Sequence, residues 1–201
     1  MALTRPLSAL MFALLVQNGA FAAEPEANAA ADAEHNLIKN GSFEHLPRRG
    51  LPEPWVAAQH AGPAAYRFTV DAEHAHSGKH SLRIHRFQPQ VYGMAEQIIP
   101  ADQLAGKTLR FTIWARSADV GPEGATAFLG AYESSLMLQE SRGAAITGNT
   151  DWTRFEMTIE VPPAATHIQA GIILHDAGTV WIDSAELVLV EAAAAPAATA
   201  Q

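Results

Sequence analysis

The chain of 201 residues contains no cysteine, so it can form neither a disulfide nor a thiol-linked lipid anchor. Aromatic residues make up only 7% of it and charged residues 17%. Basic residues are also scarce: 13 Lys and Arg stand against 21 Asp and Glu, a formal net charge of −8. Nucleic acids and anionic membranes are themselves negative, so this balance argues against both as partners. Without disulfides, the fold must be stabilised by its apolar core.

Motifs of common catalytic sites are absent as well. The chain has no Gly-x-Ser-x-Gly, no His-Glu-x-x-His and no phosphate-binding loop. A glycosidase pair of carboxylates could still be assembled by the fold, because such residues need not be close in sequence. The non-core strand faces, however, hold few acidic residues. We therefore expect a protein without catalytic activity and keep a small polysaccharide hydrolase as an alternative.

The first 22 residues have the pattern of a secretory signal peptide. Arg5 precedes an apolar run over residues 7–16, and Ala20-Phe21-Ala22 offers a small-x-small cleavage site. The run is too short to span a bilayer. We expect cleavage near Ala22 and export to a periplasm or the medium; an uncleaved N-terminal anchor is the alternative. Residues 23–35 are predicted as a flexible leader and 191–201 as an Ala- and Pro-rich disordered tail, which leaves a domain at 36–190.

Alternating apolar and polar residues predict β-strands across residues 36–190. The clearest case is 154–161, where every odd-numbered residue from Phe155 to Val161 is apolar and every even-numbered one is polar. Further strands are predicted at 37–38, 66–70, 81–87, 95–99, 108–116, 125–132, 167–174 and 180–190, with a turn at 121–124 and an irregular stretch at 133–150. About nine short strands and no helical period indicate an all-β fold, a two-sheet antiparallel β-sandwich of the jelly-roll kind.

Two predicted strands carry side chains suited to a sugar on the face away from the core. Trp114 and Arg116 share such a face on strand 108–116, and Gln169 and His175 on strand 167–175. Aromatic rings stack on the C–H side of a pyranose, while amides and guanidinium groups bind its hydroxyls. The candidate ligand-binding residues are Trp55, Gln97, Trp114, Arg116, Tyr132, Gln169 and His175. Structural alternatives stay open: Trp114 packing beneath a loop, Trp55 as a staple, and Arg116 paired with an acidic neighbour.

Six segments occur in a characteristic order along the domain. They are Asn36–Glu44 (NLIKNGSFE), His76–Ile84 (HSGKHSLRI), Gln97–Ile99 (QII), Gly106–Arg116 (GKTLRFTIWAR), Asp151–Phe155 (DWTRF) and Val180–Asp183 (VWID). Together they resemble carbohydrate-binding modules of the family four, nine and twenty-two type, which share the galactose-binding-like jelly roll. The resemblance implies an oligo- or polysaccharide partner and a binding glutamine at Gln169. Similar domains are also fused to bacterial transcriptional regulators, so a structural or protein-partner-binding sandwich without a sugar site is the second hypothesis.

The same resemblance implies a structural calcium ion between the first strand, the Ser-Gly-Lys turn and the last strand. Glu44 and Asp183 stand at the matching positions, and carboxylates with backbone carbonyls suit a hard cation. Ser184 replaces the Asp that usually follows, and the alternative is that both carboxylates cap turns. His74, His76 and His80 are close in sequence, so a zinc site is an alternative. Their spacing does not match a specific zinc-ligand motif.

Overall fold

The computed structural model describes residues 36–190; the predicted signal peptide, leader and C-terminal tail lie outside them. This part of the chain contains nine strands and no helix, so it offers no helix able to cross a membrane. All strand pairings are antiparallel, which confirms the all-β sandwich prediction. The strands are β1 (Val56–Gln59), β2 (Tyr66–Asp71), β3 (Ser81–Arg86), β4 (Gly93–Pro100), β5 (Thr108–Glu133), β6 (Leu136–Arg142), β7 (Ile146–Glu160), β8 (His167–Leu174) and β9 (Gly178–Val190).

Strand β5 belongs to both layers of the sandwich. Its first part, residues 108–118, pairs with β9 on one side and β7 on the other, and β9 continues to β3 and β2. Its last part, residues 125–133, pairs with β8 and β6, and β8 continues to β4 and β1. We call the outward sides of these two layers the β9 face and the β8 face, respectively.

The core between the layers is filled by alternate residues of each strand. In both parts of β5 the odd-numbered side chains, from Leu109 to Ala115 and from Ala125 to Ala131, are fully buried. The same is true of the even-numbered residues of β8 from Ile168 to Leu174. Each buried Leu or Ile contributes about 1.5–3 kcal/mol by leaving water, so this continuous core is the main source of stability.

Three local predictions were wrong. The predicted turn at 121–124 is a bend within β5, because Gly124, with φ of 75°, redirects the strand into the other layer instead of reversing it. The stretch predicted as irregular contains all of β6 and the start of β7, and a tight turn with Ser134 at φ of 54° joins β5 to β6. Residues 37–38 are not a strand: Leu37 bonds to Leu187 by a single backbone contact of 2.8 Å.

Candidate functional site

The seven predicted ligand-binding residues occupy three separate places. Tyr132, Gln169 and His175 have outward positions in the layer that contains β8. The side chains of Trp114 and Arg116 lie on the β9 face, and those of Trp55 and Gln97 lie inside the protein. The split follows from β5: Trp114 and Tyr132 belong to the same strand, but the strand changes layer between them.

Trp55 and Gln97 correct the predicted cleft, because both are structural. Trp55 is 3% exposed, packs on Phe43 with ring centroids 5.0 Å apart, and donates its indole N–H to the Asn40 carbonyl at 3.1 Å. Gln97 is 2% exposed and bonds both backbone groups of Lys39, at 3.1 Å and 2.6 Å. Both residues attach the segment that precedes β1 to the sandwich.

Trp114 lies beneath the loop that joins β2 to β3, the structural alternative raised from the sequence. The imidazole of His76 stacks on its ring at 3.9 Å, with 17° between the planes. On the neighbouring strand, the ring of Trp181 has the guanidinium groups of Arg83 and Arg116 each 5.9 Å from its centroid. The β9 face is therefore a packed layer of aromatic and guanidinium groups.

On the β8 face, Tyr132, His167 and Gln169 form one connected set. The rings of Tyr132 and His167 are stacked with centroids 5.4 Å apart and planes 13° apart. His167 Nε2 lies 3.2 Å from Gln169 Nε2, a hydrogen bond that orients the amide. The Tyr132 ring extends over Gly130, where a Cβ atom would come within 2.7 Å of Cε2. The absence of a side chain at Gly130 thus lets the ring lie close to the sheet.

Glu96 is, with His167, a functional candidate that sequence reasoning missed. It points outward from β4 and faces Val56 on β1 and Gly171 on β8. It is 4% exposed, and its enclosed Oε2 accepts no hydrogen bond from residues 36–190. Burial raises the pKa of this carboxyl. Polar residues at every outward position of β4 would have marked this face in the sequence. Instead, the outward neighbours of Glu96 on β4, Met94 and Ile98, are apolar.

Further titratable groups lie on the same face, with Glu140 close to Tyr132 and His175 at the opposite end of β8. Glu140 accepts two hydrogen bonds from Arg142, at 2.7 Å and 2.9 Å, so its charge is compensated. The pKa of Tyr132 is raised, first by burial and then by the negative charges of Glu140 and Glu96. The pKa of His175 is lowered by burial and by the charge of Arg142, which favours the neutral ring at neutral pH. The uncompensated charge here is that of Glu96.

The two carboxylates predicted to bind calcium both hold the turn before β3. Glu44 Oε1 accepts the N–H groups of Lys79 (2.6 Å) and His80 (2.9 Å). Asp183 Oδ2 accepts those of His76 (2.9 Å) and Ser77 (2.8 Å). A calcium ion would compete with these bonds for the oxygen lone pairs. Within residues 36–190, no group of three or more His, Asp or Glu side chains is placed to hold a metal.

Comparison with known sequences finds a distant relative. No protein-family model matches the chain. The chain is similar to an uncharacterized HTH-type transcriptional regulator, YbfP of Bacillus subtilis, with 27% identity over 136 residues. The match covers 64% of the chain but 45% of the regulator, so the chain spans less than half the length of this relative.

Comparison with solved structures is more informative. TmCBM61 in complex with beta-1,4-galactotriose matches 77% of the chain over 99% of its own length, with a TM-score of 0.54 and 17% identity. The chain has the jelly-roll fold of carbohydrate-binding modules. A xylan-binding domain from CBM22 matches 79% of it (97% of that domain, TM-score 0.52, 17% identity). The active domain of tailspike protein 4 of bacteriophage CBA120 matches 77%, over 21% of its own length (TM-score 0.58, 19% identity). This jelly roll confirms the resemblance at the level of fold, whereas the ligand must be argued from the site.

Proposed function

We propose that the protein is an exported, non-catalytic carbohydrate-binding module that holds an oligo- or polysaccharide on the β8 face. The part of the proposal that concerns export rests on the sequence pattern of residues 1–22. The part that concerns sugar binding rests on the arrangement of Tyr132, His167 and Gln169. It gives one aromatic ring close to the sheet and one oriented amide beside it, the two kinds of group that a pyranose needs.

The fold supports this proposal through the ligands named for its structural neighbours, beta-1,4-galactotriose and xylan. The charges of the face favour binding over catalysis. A glycosidase needs two carboxyl groups free to exchange protons or attack, but Glu140 is engaged by the guanidinium of Arg142 through two short hydrogen bonds. Glu96 alone does not supply the pair.

A screen of the secreted form on a glycan array, followed by calorimetry with the best ligand, tests the proposal. Tyr132→Ala removes the stacking ring, and we expect affinity to fall at least about tenfold, as for a central aromatic contact. Trp152→Ala is the matched control, because Trp152 is a half-buried aromatic that contacts His76 near the β9 face. The Trp152→Ala variant should bind the same glycan with unchanged affinity.

Two results would contradict the proposal. Folded protein that binds no glycan on the array favours the partner-binding sandwich. Equal losses of affinity in the two variants would place the sugar elsewhere on the molecule.

A further inference from the structure

Glu96 is a buried carboxyl group beside the proposed site, because its register partner Gly171 is the next outward position of β8 after Gln169. Its side chain is 4% exposed, its Oε2 atom is enclosed, and no hydrogen bond from residues 36–190 reaches its carboxylate. Burying an ionised carboxylate without a partner is costly, and buried charges in proteins are normally paired. A cationic partner from outside residues 36–190 would stabilise the ionised form.

The two outward positions in register with Glu96 do not provide this partner. Glu96 is in register with Val56 on one side and Gly171 on the other, and neither side chain can donate a hydrogen bond. The register row of Glu96 continues through Gly171 and Phe128 to Arg142 on β6. Arg142 is the guanidinium in this row among residues 36–190. Its Nε and Nη2 atoms donate to Glu140, at 2.7 Å and 2.9 Å. The site thus keeps a net negative charge.

Two aromatic residues occupy outward positions of the same and of a nearby register row. Phe128 is in the same register row, with Gly171 between it and Glu96. The Tyr132 ring extends over Gly130 from the next row, close enough to Glu96 for the carboxylate charge to act on its hydroxyl. A carboxylate flanked by aromatic rings is the combination that recognises an ammonium group, through charge pairing and cation–π attraction.

We propose that the ligand of the β8 face is an amino sugar, with Glu96 as the counter-ion of its protonated amine. This inference rests on the proposed function and names its ligand class. A neutral glycan can donate hydrogen bonds to Glu96 but leaves its charge uncompensated, whereas an ammonium group compensates it. The net charge of −8 also attracts a cationic polymer over long range.

The test compares glucosamine oligomers with N-acetylglucosamine oligomers of equal length, because acetylation removes the charge and keeps the ring. Calorimetry at a pH of about 6 keeps most carboxyl groups ionised and the sugar amine, a weaker base than a lysine side chain, largely protonated. We expect the amine form to bind about tenfold tighter to the wild-type protein. Glu96→Gln should abolish this difference, because the amide has nearly the same shape and no charge.

Glu186→Gln is the matched control for net charge. Glu186 is an exposed residue of β9, on the other layer, so its loss changes the total charge equally and should keep the preference. The β8 face carries other ionisable groups besides Glu96, so the comparison is made at one pH. They are Tyr132, Glu140, Arg142, His167 and His175. A preference that survives in Glu96→Gln overturns the proposal.

If the Glu96 variant does not fold, the wild-type protein alone still tests the amino-sugar proposal. Equal affinity for the two oligomers, or tighter binding of the acetylated form, overturns the amino-sugar proposal and leaves sugar binding in place. Absence of binding to every sugar, charged or neutral, overturns the proposed function itself. The two failures are therefore distinguishable.

Discussion

Trp114 contributes to packing on the β9 face, where the imidazole of His76 covers its ring at 3.9 Å. From the sequence, this tryptophan was a candidate sugar platform, because its neighbours on the same strand face are arginine and threonine. The loop that covers it is distant in sequence and becomes a neighbour only when β5 and β9 pair. The type of a side chain therefore determines which ligands it could bind, while its position in the fold determines which groups it contacts.

Replacing Trp114 by alanine should lower stability without changing sugar affinity. The substitution removes the stacking with His76, and for a half-buried tryptophan we expect a loss of about 2 kcal/mol in the free energy of unfolding. Urea unfolding measures the first effect, and calorimetry with the array-selected glycan measures the second. A large fall in affinity with unchanged stability would instead restore Trp114 to the binding site.

At the scale of elements, the loop between β2 and β3 is held by carboxylates from two distant segments. Glu44 precedes β1 and Asp183 belongs to β9. Together their carboxylate oxygens accept four backbone N–H groups within residues 76–80. Hydrogen bonds lower the pKa of Glu44, with the Lys79 N–H as the largest cause, so the ionised form is favoured there. The same two carboxylates are the residues predicted to bind calcium, which remains a prediction.

Thermal unfolding in the presence of calcium and of a chelator tests this prediction at the loop. A bound ion would raise the midpoint temperature with calcium concentration, because a ligand of the folded state stabilises it by mass action. Asp183→Asn is the matched variant and should abolish that rise. If the wild-type midpoint is the same in calcium and chelator, the carboxylates act through their N–H bonds alone.

For the whole molecule, the two outer faces of the sandwich differ in charge. The β9 face carries Arg83 and Arg116 over Trp181, whereas the β8 face carries the uncompensated Glu96. A buried carboxyl of this kind affects the stability of the whole fold, because it titrates differently in the folded and unfolded chains. Its folded pKa is raised by burial, so the folded state favours the protonated form.

The pH dependence of unfolding should reveal this effect. A raised folded pKa means that the stabilisation is fully present below the unfolded pKa and is lost as pH rises through the folded value. We expect Glu96→Gln to match the wild type near pH 4 and to unfold about 2–4 °C higher at pH 7, equivalent to about 1 kcal/mol. Calorimetric scans of both proteins across this range measure it. A difference that does not grow with pH would show that Glu96 is not destabilised by burial.

Strand content, core residues and most turns followed from the sequence, because alternation with a period of two is a property of the strand itself. The odd-numbered residues from Leu109 to Ala115 and the even-numbered ones of β8 were predicted inward and are buried. Gln97 was not predicted inward, because its inward position is filled by bonds to Lys39, a polar exception to an apolar core.

The sequence by itself determined the fold class and the supply of sugar-binding side chains, since both depend on local composition and period. Only the tertiary structure decided which of those side chains share a surface. The bend at Gly124 carries β5 from one layer to the other, and that single crossing separates Trp114 from Tyr132. It also brings Glu96, Phe128 and Tyr132 together from two strands, because strand neighbours are set by hydrogen-bonded pairing over long sequence distances and not by local pattern.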